Sequence, residues 1–172
     1  MKDPNGDVSS SKKYRGIAIS SLILKGFDNC ILLLFGHLLS NDALQFGFQK
    51  GCSTVQCTWT VQETISYYLR RESNVYCCLL DFSKAFDKVN FNSLFMKLRD
   101  RDFPAVFLRL LVSMYQNQSC FIRWNSMESD AFSVKNGVRE GAILSPSLFC
   151  VYQDSLFRLL RNYTFGTSGS KV

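Results

Sequence analysis

The sequence predicts an α+β fold that is rich in helix and has few strands. Its 172 residues are 47% hydrophobic and 20% charged, which is a globular composition. Apolar residues at 3.6-residue spacing alternate along the chain with short β-prone runs. The length fits one ordinary domain, which we expect over residues 12–162, between a flexible N-terminus at 1–11 and a flexible tail at 163–172.

Helix signals recur along the chain. The five predicted helices cover residues 20–40, 53–71, 92–99 (capped by Asn92 or Ser93), 104–117 and 145–162. Ser53 and Gln56 have the spacing of a capping box, in which each side chain satisfies a free backbone N–H group of the other residue. Ser145 and Pro146 form a helix start, because serine caps well and proline is tolerated in the first turn.

Two regions are predicted to form strands. Residues 75–80 are a continuous apolar run that ends at Asp81, which is typical of a strand covered on both faces. Residues 120–124 and 131–134 alternate in polarity around a turn near Asn125, which predicts a hairpin.

Asp81 is the first candidate for chemistry. A buried strand that ends in a carboxylate holds a hard oxygen ligand of the kind that Mg²⁺ prefers. In phosphoryl transfer such a metal ion neutralises the phosphates and orients the attacking hydroxyl. The alternative is that Asp81 only caps the following turn, as aspartates at strand ends often do.

Two further segments are candidate binding elements. Gly137 and Gly141 stand four residues apart before the predicted start of the last helix, which allows a ligand to approach the backbone closely. The alternative is an ordinary tight loop. Lys12, Lys13 and Arg15 flank an aromatic residue, an arrangement that can bind phosphate and base. A cluster this small is more often a solvated face.

Charge and cysteine content restrict the partners and the compartment. The net charge of +6 suits a polyanion, and a second basic patch consists of Lys97, Arg99 and Arg101. The longest uncharged apolar stretch, residues 29–41, is too short for a bilayer, so no membrane partner is expected. The seven cysteines form no Cys-x-x-Cys pair, so we expect reduced thiols in an intracellular, reducing compartment, either nuclear or cytoplasmic.

Four segments, in this order, resemble the reverse transcriptases of non-LTR (LINE-type) retrotransposons. The resemblance extends from about residue 12 to residue 162. Its elements are an opening motif, Tyr-Arg-Gly-Ile-Ala (14–18); a second block, Leu-Gln-Phe-Gly-Phe (44–48) with Ser53-Thr54; motif A, Leu-Asp-Phe-Ser-Lys-Ala-Phe-Asp-Lys-Val (80–89); and motif B, Gly-Val-Arg-Glu-Gly (137–141) with Leu-Ser-Pro (144–146) and Leu-Phe (148–149). The implied fold is the fingers and an incomplete palm sheet of a right-hand polymerase.

The resemblance also implies roles for individual residues. Asp81 corresponds to a catalytic, metal-binding aspartate, and Phe82 would lend its carbonyl to the metal. Phe86 corresponds to an aromatic gate that rejects the ribose 2′-hydroxyl. The residues implied to lie near the nucleotide are Arg15, Lys12, Lys13, Phe82, Ser83, Lys84, Ala85, Phe86, Glu140 and Gly141. The expected cofactor is Mg²⁺, and the expected partners are an RNA template, a DNA primer and dNTPs.

The sequence also departs from the family pattern. Glu140 stands where the family usually has glutamine, and Gln49 and Cys52 stand where arginines are common. The Tyr-x-Asp-Asp turn of motif C and the thumb are not found, and Asp154, in the partial lookalike Tyr-Gln-Asp-Ser, is interpreted as a surface helix residue. We therefore expect a chain truncated before motif C that is inactive alone and self-associates through an uncovered palm surface. The alternative function is a non-catalytic, basic nucleic-acid-binding remnant.

Overall fold

In the computed structural model, the described residues are residue 14, residues 16–42 and residues 45–162, the last two of these by backbone alone. The predicted nucleotide contacts Lys12, Lys13 and Arg15 lie outside the described residues, as do both predicted flexible ends. The described part of the chain is rich in helix and has small antiparallel sheets, in agreement with the predicted α+β composition.

Five helices and four short strands make up the described fold. The helices are α1 (Leu22–Phe35), α2 (Thr54–Leu69), α3 (Phe91–Arg99), α4 (Ala105–Gln116) and α5 (Ser145–Asn162). The strands are β1 (Ser119–Cys120), β2 (Arg123–Trp124), β3 (Met127–Glu128) and β4 (Phe132–Ser133). A single 3₁₀ turn, Phe86–Lys88, precedes α3.

The hydrophobic core lies where α3 packs against both α4 and α5. Helix α1 adds Ile31 to this core, whereas α2 buries none of its residues. The fully buried large side chains are Ile31, Val89, Leu94, Leu98, Leu111, Tyr115, Leu144, Leu148 and Val151. None of the helices among the described residues has the length and apolarity needed to cross a bilayer.

Local capping signals set most of the helix starts. The capping box of Ser53 and Gln56 is present at the start of α2, as predicted. The prediction of Asn92 or Ser93 as the cap of α3 was wrong, because Asn90 caps this helix by accepting a hydrogen bond from the Ser93 backbone N–H. Helix α1 is shorter than predicted: it starts after the cap Ser21 and ends at Phe35.

The predicted hairpin is confirmed. Strand β2 pairs with β3 around Asn125, and β1 pairs with β4 at the base of the same unit. Asn125 has φ 54°, a left-handed conformation that asparagine tolerates better than most residues, so the turn closes tightly there.

The predicted covered strand at residues 75–80 was wrong. This segment belongs to no strand, and five of its six residues are exposed. Its apolar pattern satisfies only one requirement of a strand, because the backbone also needs a partner. No segment within the described ranges pairs with it.

Asp154 is buried, so its interpretation as a surface residue of α5 was also wrong. Its side chain is 9% exposed and lies 2.8 Å from the guanidinium of Arg101, which is 15% exposed. Arg101 also donates hydrogen bonds to the carbonyls of Leu38 and Ser40. The ion pair therefore fastens the end of α1 and the loop after α3 to the middle of α5.

Candidate nucleotide site

Backbone hydrogen bonds join the second half of motif A to the start of motif B. The N–H of Gly137 donates to the Val89 carbonyl at 2.7 Å, and the N–H of Val138 donates to the Phe86 carbonyl at 2.9 Å. The side-chain amide of Asn136 donates to the Asp87 carbonyl at 3.0 Å. These three bonds hold two segments side by side that are far apart in the sequence.

Gly137 makes this contact possible. Its φ of +91° is a conformation that other L-residues rarely adopt, and a Cβ here would lie 2.9 Å from the Asp87 carbonyl oxygen and 3.0 Å from the Asp87 Cα. Because both neighbours are backbone atoms, they cannot rotate away. The close approach of motifs A and B therefore requires glycine.

The loop of motif B also contacts the opening motif. The N–H of Ala18 donates to the Glu140 carbonyl at 2.7 Å. Gly141 has φ +98°, and a Cβ there would lie 3.2 Å from both the Ala18 carbonyl oxygen and the Ile17 side chain. The loop is thus held from one side by motif A and from the other by residues 16–18.

A buried carboxylate supports the same loop from beneath. Asp28 of α1 is buried, and one of its oxygens accepts a hydrogen bond from the Leu144 N–H at 3.3 Å, at the start of α5. Burial raises the pKa of the Asp28 carboxyl, while the Leu144 and Ile143 N–H groups and the nearby Arg139 guanidinium act against that rise. Asp28 thereby joins α1 to the motif B loop.

Arg139 lies above a buried tyrosine. Its guanidinium carbon is 5.5 Å from the centre of the Tyr115 ring, close enough for a cation–π interaction. Burial raises the pKa of the Tyr115 phenol, so this side chain stays neutral at physiological pH. Arg139, the residue before Glu140, therefore lies between the Asp28 carboxyl and the Tyr115 ring.

Phe86 belongs to an aromatic cluster shared by three of the motifs. Its ring centre lies 4.9 Å from that of Phe149 in α5 and 6.0 Å from that of Phe48 in the second block. Next to it, the Cys150 thiol lies 3.8 Å from the Gly47 carbonyl and 3.9 Å from the Gln45 side-chain amide. Burial raises the pKa of the Cys150 thiol, which favours the uncharged form in this contact.

Asp81 stands on the wall of an open cleft. The cleft has a volume of about 430 Å³ and is lined by Asp81, Phe82, Ser83, Ala85, Lys88, Phe149, Tyr152, Gln153 and Leu156. The Asp81 side chain is exposed, and among the described residues no cluster of three or more acids, histidines or cysteines that could hold a metal ion is found. Asp81 is the one carboxylate among the lining residues.

The structure brings together some of the predicted site residues. Phe82, Ser83 and Ala85 line the cleft with Asp81, and Phe86 packs behind it against Phe149. Lys84 lies in a turn, where its φ is 52°, and it is exposed. Glu140 and Gly141 lie in the loop that the 3₁₀ turn and residues 16–18 hold from two sides.

Sequence reasoning missed Asp28 and Arg139. The available signal for Asp28 was a single acid among the apolar residues of a helix, a pattern that indicates a buried and partnered group when it falls on the inward face. Periodicity alone did not identify its partner, because the partner lies on a loop far along the chain.

The comparison with known families agrees with these motifs. Residues 2–171 match the family described as reverse transcriptase (RNA-dependent DNA polymerase). The chain therefore belongs to this family of polymerases.

The curated relatives narrow the class to the non-LTR retrotransposon type. The chain is 29% identical over 150 residues to the probable RNA-directed DNA polymerase from transposon X-element of Drosophila melanogaster. The matched region covers 83% of this chain and 16% of the relative. It is 26% identical over 160 residues to the Pol polyprotein from type-1 retrotransposable element R2 of Nasonia vitripennis, covering 92% of this chain and 16% of the relative. It is 24% identical over 147 residues to the Pol polyprotein from element R2DM of Drosophila melanogaster. This match covers 86% of the present chain and 14% of the relative. The chain thus spans less than a fifth of the length of these relatives.

Proposed function

We propose that this chain supplies the nucleotide-facing part of an RNA-directed DNA polymerase, with the fingers and part of the palm. The observation that carries the proposal is the contact between motifs A and B at Phe86, Val89, Gly137 and Val138. A loop with a purely structural role does not require motifs A and B to meet. A nucleotide site does, because it needs an aromatic surface and a glycine loop held at a fixed distance and orientation. RNA template, DNA primer and dNTPs are the proposed ligands.

Asp81 and the Phe82 carbonyl are the proposed ligands of Mg²⁺. Both residues are exposed on the cleft, and an exposed carboxylate with a carbonyl oxygen suits an ion that keeps several waters and shares the phosphates of its substrate. When bound, the ion would supply charge neutralisation for the triphosphate. The protein's own part is to present these two oxygens beside the backbone of residues 83–86.

Phe86 is the proposed gate against ribonucleotides. Its ring is packed on Phe149 at 4.9 Å, so it has little freedom to move away from a bulky sugar. A ring fixed in this way discriminates by repulsion, because a 2′-hydroxyl would have to overlap it. Lys12, Lys13 and Arg15 are proposed phosphate contacts, and Glu140 and Gly141 are proposed to lie beside the template–nucleotide pair.

We propose that the 172-residue chain does not catalyse nucleotide addition alone. A two-metal mechanism places ions about 3.5–4 Å apart and needs several carboxylates to hold them. Asp81 is the one carboxylate on the cleft within the described residues. Further carboxylates must therefore come from another segment or another chain.

A fusion experiment tests the role of Asp81. The chain is fused to a Tyr-x-Asp-Asp segment and thumb from a member of the same family, and Mg²⁺-dependent dNTP incorporation is measured on an RNA template with a DNA primer. We expect activity from the fusion, none from the chain alone, and none from the fusion with Asp81→Asn. Asp130→Asn is the matched control, since Asp130 is also exposed but lies in the hairpin. Activity that survives Asp81→Asn would disprove the metal role.

The alternative, a non-catalytic nucleic-acid-binding remnant, rests on the net charge of +6. In the basic patch of Lys97, Arg99 and Arg101, two side chains are bound within the fold. Lys97 donates to the Tyr152 carbonyl and the Ser155 hydroxyl, and Arg101 pairs with Asp154. If binding to an RNA–DNA duplex persists in the Asp81→Asn chain with a log–log salt slope of about 0.7–0.9 per phosphate contacted, this alternative gains support.

A further inference from the structure

We infer that Asp28 and Arg139 are positioning residues for nucleotide binding, because together they fix the turn of motif B that carries Glu140 and Gly141. This role rests on the proposed polymerase function, since it assigns to the pair the control of dNTP affinity at the proposed site. Neither side chain is among the described residues that line the cleft, so both act through the turn rather than by touching the nucleotide. Three observations support the role: the hydrogen bonds of the turn, the burial of the two charges and a donor that the pair leaves unbonded.

The turn is held by two backbone hydrogen bonds. The Ala142 N–H donates to the Arg139 carbonyl at 3.1 Å, which closes the turn. The Ala18 N–H donates to the Glu140 carbonyl at 2.7 Å, which holds the turn from outside. Gly141 occupies the third position with φ +98°, the sign of φ that a type II turn needs there. The direction of the central peptide of the turn therefore depends on how the Arg139 backbone is held.

The Arg139 side chain lies between two buried groups. Asp28 of α1 is 2% exposed, and its carboxylate accepts a hydrogen bond from the Leu144 N–H. Burial raises the pKa of the Asp28 carboxyl, and the Arg139 charge acts against that rise, so the two charges attract each other. On the other side, the Tyr115 ring of α4 is 1% exposed, and its centre lies 5.5 Å from the guanidinium carbon. Helices α1 and α4 thus hold the residue that opens the turn.

The pair determines geometry more than it adds stability. Asp28 is buried, and the Nε of Arg139 is buried without a hydrogen-bond partner in the part of the chain that the structure describes. Removing one partner of a buried charge pair is costly, whereas replacing both by neutral groups of similar volume is often neutral for stability. Single and double variants therefore separate a positioning role from a merely structural one.

Urea unfolding of the full chain tests whether the two side chains act as a pair. We expect Arg139→Met alone to lower the urea midpoint, because Asp28 then stays buried without an opposing charge. The double variant Asp28→Asn, Arg139→Met should recover most of that loss, since asparagine keeps an oxygen that can accept the same backbone hydrogen bond. A double loss equal to the sum of the two single losses would show that the side chains are not coupled and would overturn the pairing.

Amide hydrogen exchange in the 172-residue chain tests the positioning. In the double variant we expect exchange at the Ala18 and Ala142 N–H groups to accelerate about tenfold relative to the amides of α3. Leu98→Ala is the control, because it removes a fully buried side chain from α3 and lowers stability without altering either charge. It should accelerate exchange in α3 at least as much as in the turn. Unchanged exchange at the turn in the double variant would overturn the positioning.

Steady-state kinetics test the effect on the nucleotide, with the fusion to a Tyr-x-Asp-Asp segment and thumb. We expect the double variant to raise the KM for dNTPs about tenfold and to change kcat by less than about twofold, because a misplaced turn weakens binding and leaves Asp81 in place. Leu98→Ala should change neither constant by more than about twofold at a temperature where it is folded. A wild-type KM in the double variant, or an equal rise in Leu98→Ala, would overturn the role in nucleotide binding.

The two assays separate this role from the polymerase proposal. A fusion without Mg²⁺-dependent incorporation in any variant would refute the polymerase proposal and, with it, the control of dNTP affinity, while amide exchange would still decide whether the pair fixes the turn. An active fusion whose KM does not respond to the double variant would refute only the role of Asp28 and Arg139.

Discussion

Replacing Gly137 by alanine tests whether the contact between motifs A and B holds the fold together. The new methyl group would lie 2.9 Å from the Asp87 carbonyl oxygen in a residue with φ +91°. A left-handed conformation costs an L-residue about 1–2 kcal/mol. Relieving the overlap would break the hydrogen bonds from Gly137 to Val89 and from Val138 to Phe86, each worth about 1 kcal/mol. We therefore expect Gly137→Ala to lower the free energy of unfolding by about 3–4 kcal/mol.

Urea unfolding followed by circular dichroism measures this loss. Gly26→Ala is the control of the same chemistry, because Gly26 lies within α1 with no atom near its would-be Cβ. Alanine is favoured over glycine in a helix interior, so the control should gain about 1 kcal/mol. If Gly137→Ala lies within about 1 kcal/mol of the wild type, motifs A and B do not depend on this contact.

Two further predictions concern buried charges. Burial raises the pKa of Asp28 above its usual 3.8, so the native state binds this proton more tightly than the unfolded chain does. Its contribution to stability is therefore full below pH 3.8 and is lost as pH rises through the folded pKa. We expect the unfolding free energy of the wild type, relative to Asp28→Asn, to fall as pH rises above 4, and denaturation at several pH values checks this; a relative rise would contradict it. Arg101→Ala should cost about 2–4 kcal/mol, since it leaves the buried Asp154 without its inner partner. Arg158 also contacts Asp154 at 2.8 Å but is 70% exposed, so Arg158→Ala should cost less than about 0.5 kcal/mol by the same measurement, and equal losses would show that burial is not the cause.

The parts of the fold that the sequence predicted are those governed by neighbours in the chain. The Ser53–Gln56 capping box, the hairpin at Asn125 and the start of α5 at Ser145 each involve residues within a few positions of one another. The predicted role of Ser145 as the cap was wrong, because Ser145 is the first residue of the helix and its hydroxyl makes no capping hydrogen bond among the described residues. Even here a choice among close competitors failed, because Asn90, Asn92 and Ser93 all suit the cap of α3 and only packing decides between them.

The parts that the sequence did not predict depend on distant partners. Asp154 has the spacing of a surface residue on an amphipathic helix, and only Arg101 on the loop after α3 explains its burial. Residues 75–80 have the apolar pattern of a covered strand, but that pattern does not show whether other segments pack on its faces or pair with its backbone. Likewise, the motifs indicated the candidate site, while the support of the motif B loop by Asp28 required the fold.

The end of motif A and the segment that leads into it differ in how firmly they are held. Residues 86–89 are fixed to motif B by three hydrogen bonds, whereas residues 74–81 form none with the described chain. The proposed gate is thus rigid, while the proposed metal ligand Asp81 lies on a segment whose conformation is not determined by local packing. Metal binding must then bear the entropic cost of ordering that segment, about 1–2 kcal/mol per residue fixed. Any strand that pairs with residues 73–81 would order Asp81 in advance and so strengthen Mg²⁺ binding, and by linkage Mg²⁺ would strengthen the pairing by the same factor.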